Sequence, residues 1–425
     1  MQYRETKLAN GIRVATSRIP RVGSIAMGVW VGVGGRYEPN RLAGISHFIE
    51  HLLFKGTQRR TARQISEAIE GRGGYFNAFT QEEATCYYAR IDARHGWNVL
   101  DILADMYLNP RFAAKDIDKE RGVIIEEIMM YRDQPQHLVQ EMLGELLWAR
   151  HPLGRPLIGT PDNIMQMSRE DILAFKETKY TPSRTVIAFA GNVEHDRAVA
   201  EVEKRLGGVS KRRNPRFKKV DSSTRQSEVG VLGKPIEQSH LAMGIRLFGR
   251  DDDRRFALKL LSVILGENMS SRLFQAVREK NGLAYSIHSH VHLYNETGVL
   301  SISAGLDRAR TERALKLIVK ELRAMKEKKV GARILKRAKD YAVGQMLIGL
   351  ESTTMHMMWM GEHLLNLDHF EQPTQVIARL QDVEAGDLQA LASDLLRPSR
   401  TSVAMIAPNE DQLPASQIKD CIAAL

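Results

Sequence analysis

His47-Phe48-Ile49-Glu50-His51 is the stretch from which the rest of this sequence can be read. It lies within an amphipathic pattern that predicts a helix over 43–54. Residues four apart share one helical face, so His47 and His51 can present two imidazoles to a single metal ion. Glu50 falls on an adjoining part of that face. The order H-x-x-E-H reverses the H-E-x-x-H arrangement of helical zinc sites. The competing reading makes the two histidines half-buried structural residues with Glu50 as their salt-bridge partner. Two imidazoles alone do not complete a catalytic zinc site, which needs a third protein ligand and an open position for water.

The stretch best suited to supply that ligand is Glu120-Arg121-Gly122-Val123-Ile124-Ile125-Glu126-Glu127-Ile128. Its pattern is helical and apolar on one side, yet it carries acids that a buried helix otherwise avoids. Glu120 and Glu127 are two turns apart and share a face, whereas Glu126 points about 100° from Glu127 and is expected to be solvated. Spacing leaves both Glu120 and Glu127 open as ligands.

The chain has 425 residues, 43% hydrophobic and 26% charged, which places it among globular proteins of two or three domains. No apolar run reaches the roughly 18–20 residues that span a bilayer. The start, Met-Gln-Tyr-Arg-Glu-Thr-Lys, lacks the apolar core of a secretory leader and is expected to enter a first strand directly. Cys86 and Cys421 give no disulfide framework. Together these features lead us to expect a cytoplasmic protein with no membrane span. The formal charge of +10 raises a nucleic-acid reading. However, the densest basic run (Lys211, Arg212, Arg213, Arg216, Lys218, Lys219) sits in a polar connector over 207–228, and no zinc finger, RNA-recognition signature or basic zipper accompanies it. A solvated linker accounts for it, and no specific nucleic-acid partner is expected.

An internal repeat organises the whole. Thr181-Pro182-Ser183-Arg184-Thr185-Val186-Ile187-Ala188 recurs as Arg397-Pro398-Ser399-Arg400-Thr401-Ser402-Val403-Ala404, an offset of 216 residues. The preceding helical patterns align ungapped at the same offset, Asp171-Ile172 over Asp387-Leu388. A period of this length indicates duplicated domains, each copy reading as helix, proline-marked turn and β-branched strand. In the first half, strands are predicted near 11–16 and 24–33 and as a pair over 74–91, with helices over 62–71, 96–106, 115–132 and 137–149. In the second half, strands are predicted near 239–246, 283–293 and 298–304, with helices over 254–265, 271–280, 310–326 and 332–350. The expected fold is α+β: two duplicated domains, each a mainly antiparallel sheet with helices packed on one side and each forming half of a clamshell. The expected boundaries are 1–207, a basic linker 208–228, and 229–425.

With these residues in view, the sequence resembles the pitrilysin and mitochondrial-processing-peptidase family of zinc peptidases, the inverzincins. That family carries H-x-x-E-H followed about 75 residues later by a liganding glutamate. Here 75 residues intervene between His51 and Glu127. The resemblance continues through Asn77-Ala78-Phe79-Thr80, His151-Pro152-Leu153-Gly154, Gly191-Asn192-Val193, Ser270-Ser271-Arg272-Leu273-Phe274, Arg278-Glu279-Lys280 and Gly282-Leu283-Ala284-Tyr285. It implies metal ligation by His47, His51 and Glu127, one Zn2+ per chain, with Glu50 as general base and Glu120 in a supporting role. It implies that the strand with Asn77, Ala78 and Phe79 holds an extended peptide through its backbone, although an ordinary hairpin strand fits the same residues. It further implies that Arg278 and Tyr285, seven apart in the second half, approach the substrate and the tetrahedral intermediate from across the clamshell.

The implied activity is zinc-dependent endoproteolysis of peptides or small unfolded polypeptides held in a chamber between the two domains. The second half lacks H-x-x-E-H, so one metal half and one Arg/Tyr half share a chain, and a homodimer forms a complete unit. A non-catalytic, peptide-binding or scaffold subunit of the same family is the alternative; such relatives lose a ligand or the base, and this chain retains His47, Glu50, His51 and Glu127. His288, His290 and His292 alternate along a predicted strand and share a face. With no acidic or cysteine partner nearby in sequence, they read as a polar strand wall. Met355, Met357, Met358, Trp359 and Met360 read as helical core or subunit contact.

Overall fold

The computed structural model describes residues 2–221, 227–409 and 413–425. Part of the expected linker, residues 222–226, lies outside the described residues. The strands are β1 (Gln2–Lys7), β2 (Arg13–Arg18), β3 (Ser24–Val31), β4 (Tyr75–Thr80), β5 (Thr85–Asp92), β6 (Thr185–Gly191), β7 (Val229–Gly233), β8 (Gln238–Phe248), β9 (Ala284–Leu293), β10 (Thr297–Asp307) and β11 (Thr401–Ala407). They form two sheets, of order β1-β2-β6-β3-β5-β4 and β7-β11-β8-β10-β9. Apart from its extra first strand, the first order repeats in the second. Even the one parallel pair recurs, β2 with β6 and β7 with β11; the other pairings are antiparallel. The sequence repeat falls on equivalent elements. Helices Arg169–Lys179 and Ala385–Leu395 lead through 3-10 turns at Pro182–Arg184 and Pro398–Arg400 into β6 and β11.

The chain packs as two units. Unit 1 takes Met1–Met129, Arg155–Lys218 and Ile348–Phe370; unit 2 takes Met130–Gly154, Lys219–Leu347 and Glu371–Leu425. The α+β expectation holds in each. In unit 1, helices Ile45–Leu53 and Gly96–Leu108 pack on the sheet; in unit 2, so do Arg255–Gly266 and Thr311–Glu327. One further helix in each unit comes from the other half of the sequence. Thr353–Asn366 lies on β2, β3 and β6, and Pro135–Leu147 lies on β7, β8 and β11. The predicted helix over 271–280 is instead wound with i→i+5 bonds over Phe274–Glu279, with Lys280 N–H reaching Gln275 O at 3.0 Å. Over 208–221 the connector forms no helix or strand, but it is anchored to unit 1. The buried Arg36 guanidinium sits 4.0 Å over the Phe217 ring and donates to Lys218 O at 3.0 Å.

One of the two added helices covers a sheet face rich in small residues. On unit 1 these are Ala15, Ala26, Ala188 and Ala190 around the fully buried Trp30, and they meet Met357, Met360 and Leu364. Close approach depends on glycine: a Cβ on Gly361 would stand 2.0 Å from Trp30 Nε1. That indole is buried on all sides and cannot move aside cheaply. Gly361→Ala is therefore expected to lower stability by about 1–3 kcal/mol despite alanine's better helix propensity. Gly386→Ala, in the helix Ala385–Leu395 and facing open space, is expected to be neutral or stabilising by about 0.4–1 kcal/mol. Thermal unfolding of the two variants beside wild type checks the pair.

Candidate metal centre

The helix Ile45–Leu53 explains why the motif faces as it does. Ile45, Phe48, Ile49, Leu52 and Leu53 are each at most 1% exposed, and they recur at i, i+3, i+4, i+7 and i+8. That stripe is driven into unit 1 by burial of apolar area, which leaves His47, Glu50 and His51 on the other face. The helix starts at Gly44, held at φ +95, where a Cβ would meet Ile158 O at 2.6 Å. Glycine brings no side-chain oxygen to cap the first turn. The buried Glu38 carboxylate supplies it: Gly44 N–H donates to Oε2 at 2.7 Å and Ser46 N–H to Oε1 at 2.8 Å.

The helix Ala114–Arg132 brings the acids. Its buried stripe is Ile117, Glu120, Ile124 and Ile128, while Glu126 is exposed. Glu127 Oε2 lies 3.9 Å from His47 Nε2 and 3.6 Å from His51 Nε2. Among the described residues, His47, His51 and Glu127 are the one His/Cys/Asp/Glu group whose ligand atoms all fall within 4.8 Å of one another. Donors at about 2.0–2.1 Å from a tetrahedral Zn2+ stand roughly 3.4 Å apart, so this donor set fits such an ion in both spacing and chemistry. Burial, with His51 beside it, pushes His47 down to about 3, which keeps the imidazole neutral as a ligand must be. Glu120 is turned elsewhere. Its Oε2 is 3.2 Å from His51 Nδ1 and its Oε1 is 2.7 Å from Lys55 Nζ. A carboxylate accepting from Nδ1–H leaves the Nε2 lone pair on the Glu127 side, and Lys55 offsets the buried negative charge.

Glu50 reaches toward β4, where Thr80 Oγ1 donates to its Oε2 at 2.6 Å. Burial pushes the Glu50 carboxyl above its ordinary value; the Thr80 donor and His51 pull it down, and Glu127 pushes it up. Among the described residues β4 is an edge strand, paired only with β5. Ala78 N–H points off the sheet and is taken by Asn77 Oδ1 at 2.8 Å, while Asn77 Nδ2 donates to Tyr75 OH at 2.7 Å. The Phe79 side chain is turned to the opposite face, edge-on to Trp30 at 5.5 Å, and its backbone faces Cys86 of β5, so Phe79 offers the free edge neither. Arg278 and Tyr285 belong to unit 2. The Arg278 guanidinium lies 4.8 Å over Phe274, and Tyr285 at the start of β9 is 64% exposed. His288 and His290 are exposed on β9, and His292 is half-buried 4.5 Å from the Tyr294 ring.

Glu38, Lys55 and the role of Thr80 escape sequence reasoning. Lys55 follows His51 by four residues, a same-face spacing that could have suggested it. Glu38 is six residues outside the helix it caps, and no local pattern announces it. Burial pushes the Glu38 carboxyl up to about 7 from 4.5, against the pull of the two N–H donors and of Arg155. An acid raised in this way stabilises the fold fully below its unfolded value, and that contribution is lost as pH rises through about 7. Wild type is thus expected to lose thermal stability between about pH 5 and about pH 8 relative to Glu38→Gln, which keeps an acceptor but has no proton to release. Glu38→Ala, which leaves two buried N–H groups unpaired, is expected to cost about 1–3 kcal/mol for each. Melting curves across that pH range read both effects.

Comparison with known proteins bears on the whole chain. Residues 13–161 match the family described as Insulinase (Peptidase family M16), and residues 166–341 match the one described as Peptidase M16 inactive domain. An uncharacterized zinc protease of Mycobacterium leprae is 37% identical over 95% of this chain and 91% of its own length. An uncharacterized zinc protease of Bacillus subtilis is 35% identical over 94% of this chain and 97% of its own. The crystal structure of a protease from Helicobacter pylori is similar with a TM-score of 0.91 at 22% identity, over 96% of this chain and 99% of that one. A peptidase M16 inactive domain from Pseudomonas fluorescens has a TM-score of 0.88 at 18% identity, over 96% and 99%. No helix among the described residues is long and apolar enough to cross a membrane. With relatives this similar along nearly its full length, the chain belongs to the M16, or insulinase, family of zinc peptidases.

Proposed function

We propose that this protein is a zinc-dependent metalloendopeptidase acting on peptides or small unfolded polypeptides, with one Zn2+ per chain. The observation that carries the reading is the convergence of His47, His51 and Glu127 within 4.8 Å, beside a buried Glu50. When bound, Zn2+ supplies Lewis acidity toward a carbonyl oxygen and acidifies water toward about pKa 7. The chain's own residues do the rest. Glu50, whose carboxyl burial pushes above its ordinary value, accepts the proton of the attacking water and passes it to the departing amine. Glu120 and Lys55 hold His51 in the tautomer that ligation requires.

The free edge of β4 receives the substrate as an added strand, so backbone bonds at Ala78 give affinity while leaving side-chain preference to neighbouring walls. Arg278 and Tyr285 serve as donors to the substrate carbonyl and the developing oxyanion, an assignment that rests on the family resemblance. The active assembly in this proposal is a homodimer working in the cytoplasm.

The test compares wild type with Glu50→Gln on a quenched peptide library, with metal content measured on both. We expect equal zinc and a loss of cleavage of about 10²- to 10⁴-fold, the usual worth of a general base. Equal cleavage by the two proteins, or a wild type that binds no zinc, ends the proposal. Chelation is expected to abolish cleavage and added Zn2+ to restore it. Light scattering on the purified chain reads the dimer.

A further inference from the structure

Glu50 is a flexible side chain with three rotatable bonds, and a general base acts only where it points. Two of its neighbours pull in different directions: His51 attracts its charge and Glu127 repels it. The directional contact that holds it is the 2.6 Å hydrogen bond from Thr80 Oγ1 to Oε2. It commits one carboxylate oxygen and leaves Oε1 for the proton. Thr80 is the last residue of β4. Ala78 N–H points off the sheet, and backbone direction alternates along a strand, so the Phe76, Ala78 and Thr80 backbones share the free edge. The residue that holds the base with its hydroxyl therefore offers its backbone to the same edge that receives an added strand.

We infer that Thr80 is a positioning residue that ties the general base to the substrate-receiving strand, so that a peptide seated on β4 is seated in register with Glu50. The inference rests on the peptidase reading above. A hydroxyl at this place matters in its orientation of Glu50 and not as a ligand or as a substrate contact. Its loss therefore acts on the reaction step and not on metal or substrate binding.

Thr80→Val keeps the shape and the β-branched backbone preference and removes only the donor; Thr80→Ser keeps the donor. Steady-state cleavage of a quenched peptide and zinc content are measured for both, with melting curves as the fold control. In Thr80→Val we expect kcat to fall roughly 10- to 100-fold with KM changed less than about two-fold and zinc unchanged; Thr80→Ser recovers most of the rate. A Thr80→Val protein with wild-type kcat overturns the inference, as does one whose KM rises while kcat holds. Loss of rate in Thr80→Ser equal to that in Thr80→Val also overturns it. Should Thr80→Val not fold, Thr80→Ala against Thr80→Ser carries the same comparison. The two levels separate cleanly. An active wild type with an indifferent Thr80 ends the inference alone, whereas a zinc-loaded wild type that cleaves nothing ends the peptidase reading and the inference with it.

Discussion

The site hangs on the seating of one nine-residue helix. Five apolar side chains of Ile45–Leu53 are buried along a single stripe, and burial of that area fixes the rotation of the helix about its axis. Its rotation sends His47, Glu50 and His51 to the other face, so the polar pattern is a consequence of the apolar one. Its translation is set separately, by the Glu38 carboxylate gripping the N–H groups of Gly44 and Ser46. A helix end without such partners would leave buried donors unpaired. The positive φ at Gly44 and the absence of a side chain there let the chain turn against Ile158 and Gly159, where any Cβ would collide.

Around that helix, carboxylates of one type take different tasks through placement alone. Glu127 stands at the Nε2 side of both histidines, Glu120 at the Nδ1 side of His51, and Glu38 at the helix end. Glu120 lies in the apolar stripe of its own helix and is nearly inaccessible. A charge so placed is tolerable only with Lys55 and His51 as partners. Glu50 differs again, pinned by a hydroxyl from a strand and not by a cation.

The two units show how a duplicated plan diverges. Their sheets share strand order and the position of the parallel pair, and β4 and β9 are the matching edges. On β4 the edge adjoins the motif helix; β9 instead carries Tyr285 and alternating histidines. The helices that cover the second sheet faces come from the opposite halves of the sequence, Thr353–Asn366 in unit 1 and Pro135–Leu147 in unit 2. Small residues such as Gly28 and Gly361 in unit 1, and Gly244 in unit 2, accept that close packing.

Much of this was legible in the chain. Periodicity marked the motif helix and the acidic helix, the 216-residue repeat marked the duplication, and turn residues marked β6 and β11. The helix and turn signals are carried by neighbours in sequence, and the repeat is a comparison of two such local patterns. The choice between Glu120 and Glu127 was not legible from spacing, because residues seven apart share a helical face and differ only in which imidazole nitrogen they meet. Thr80 as partner of Glu50, Glu38 as cap and the exchange of covering helices were equally hidden. Each joins residues distant along the chain, and such contacts follow from burial of whole surfaces and the need to satisfy buried polar groups. Local sequence therefore pointed to the candidate site residues and to the face of each element they occupy. Tertiary packing alone decided which of those faces meet, and so which carboxylate stands beside the Nε2 atoms of both histidines and which stands behind His51.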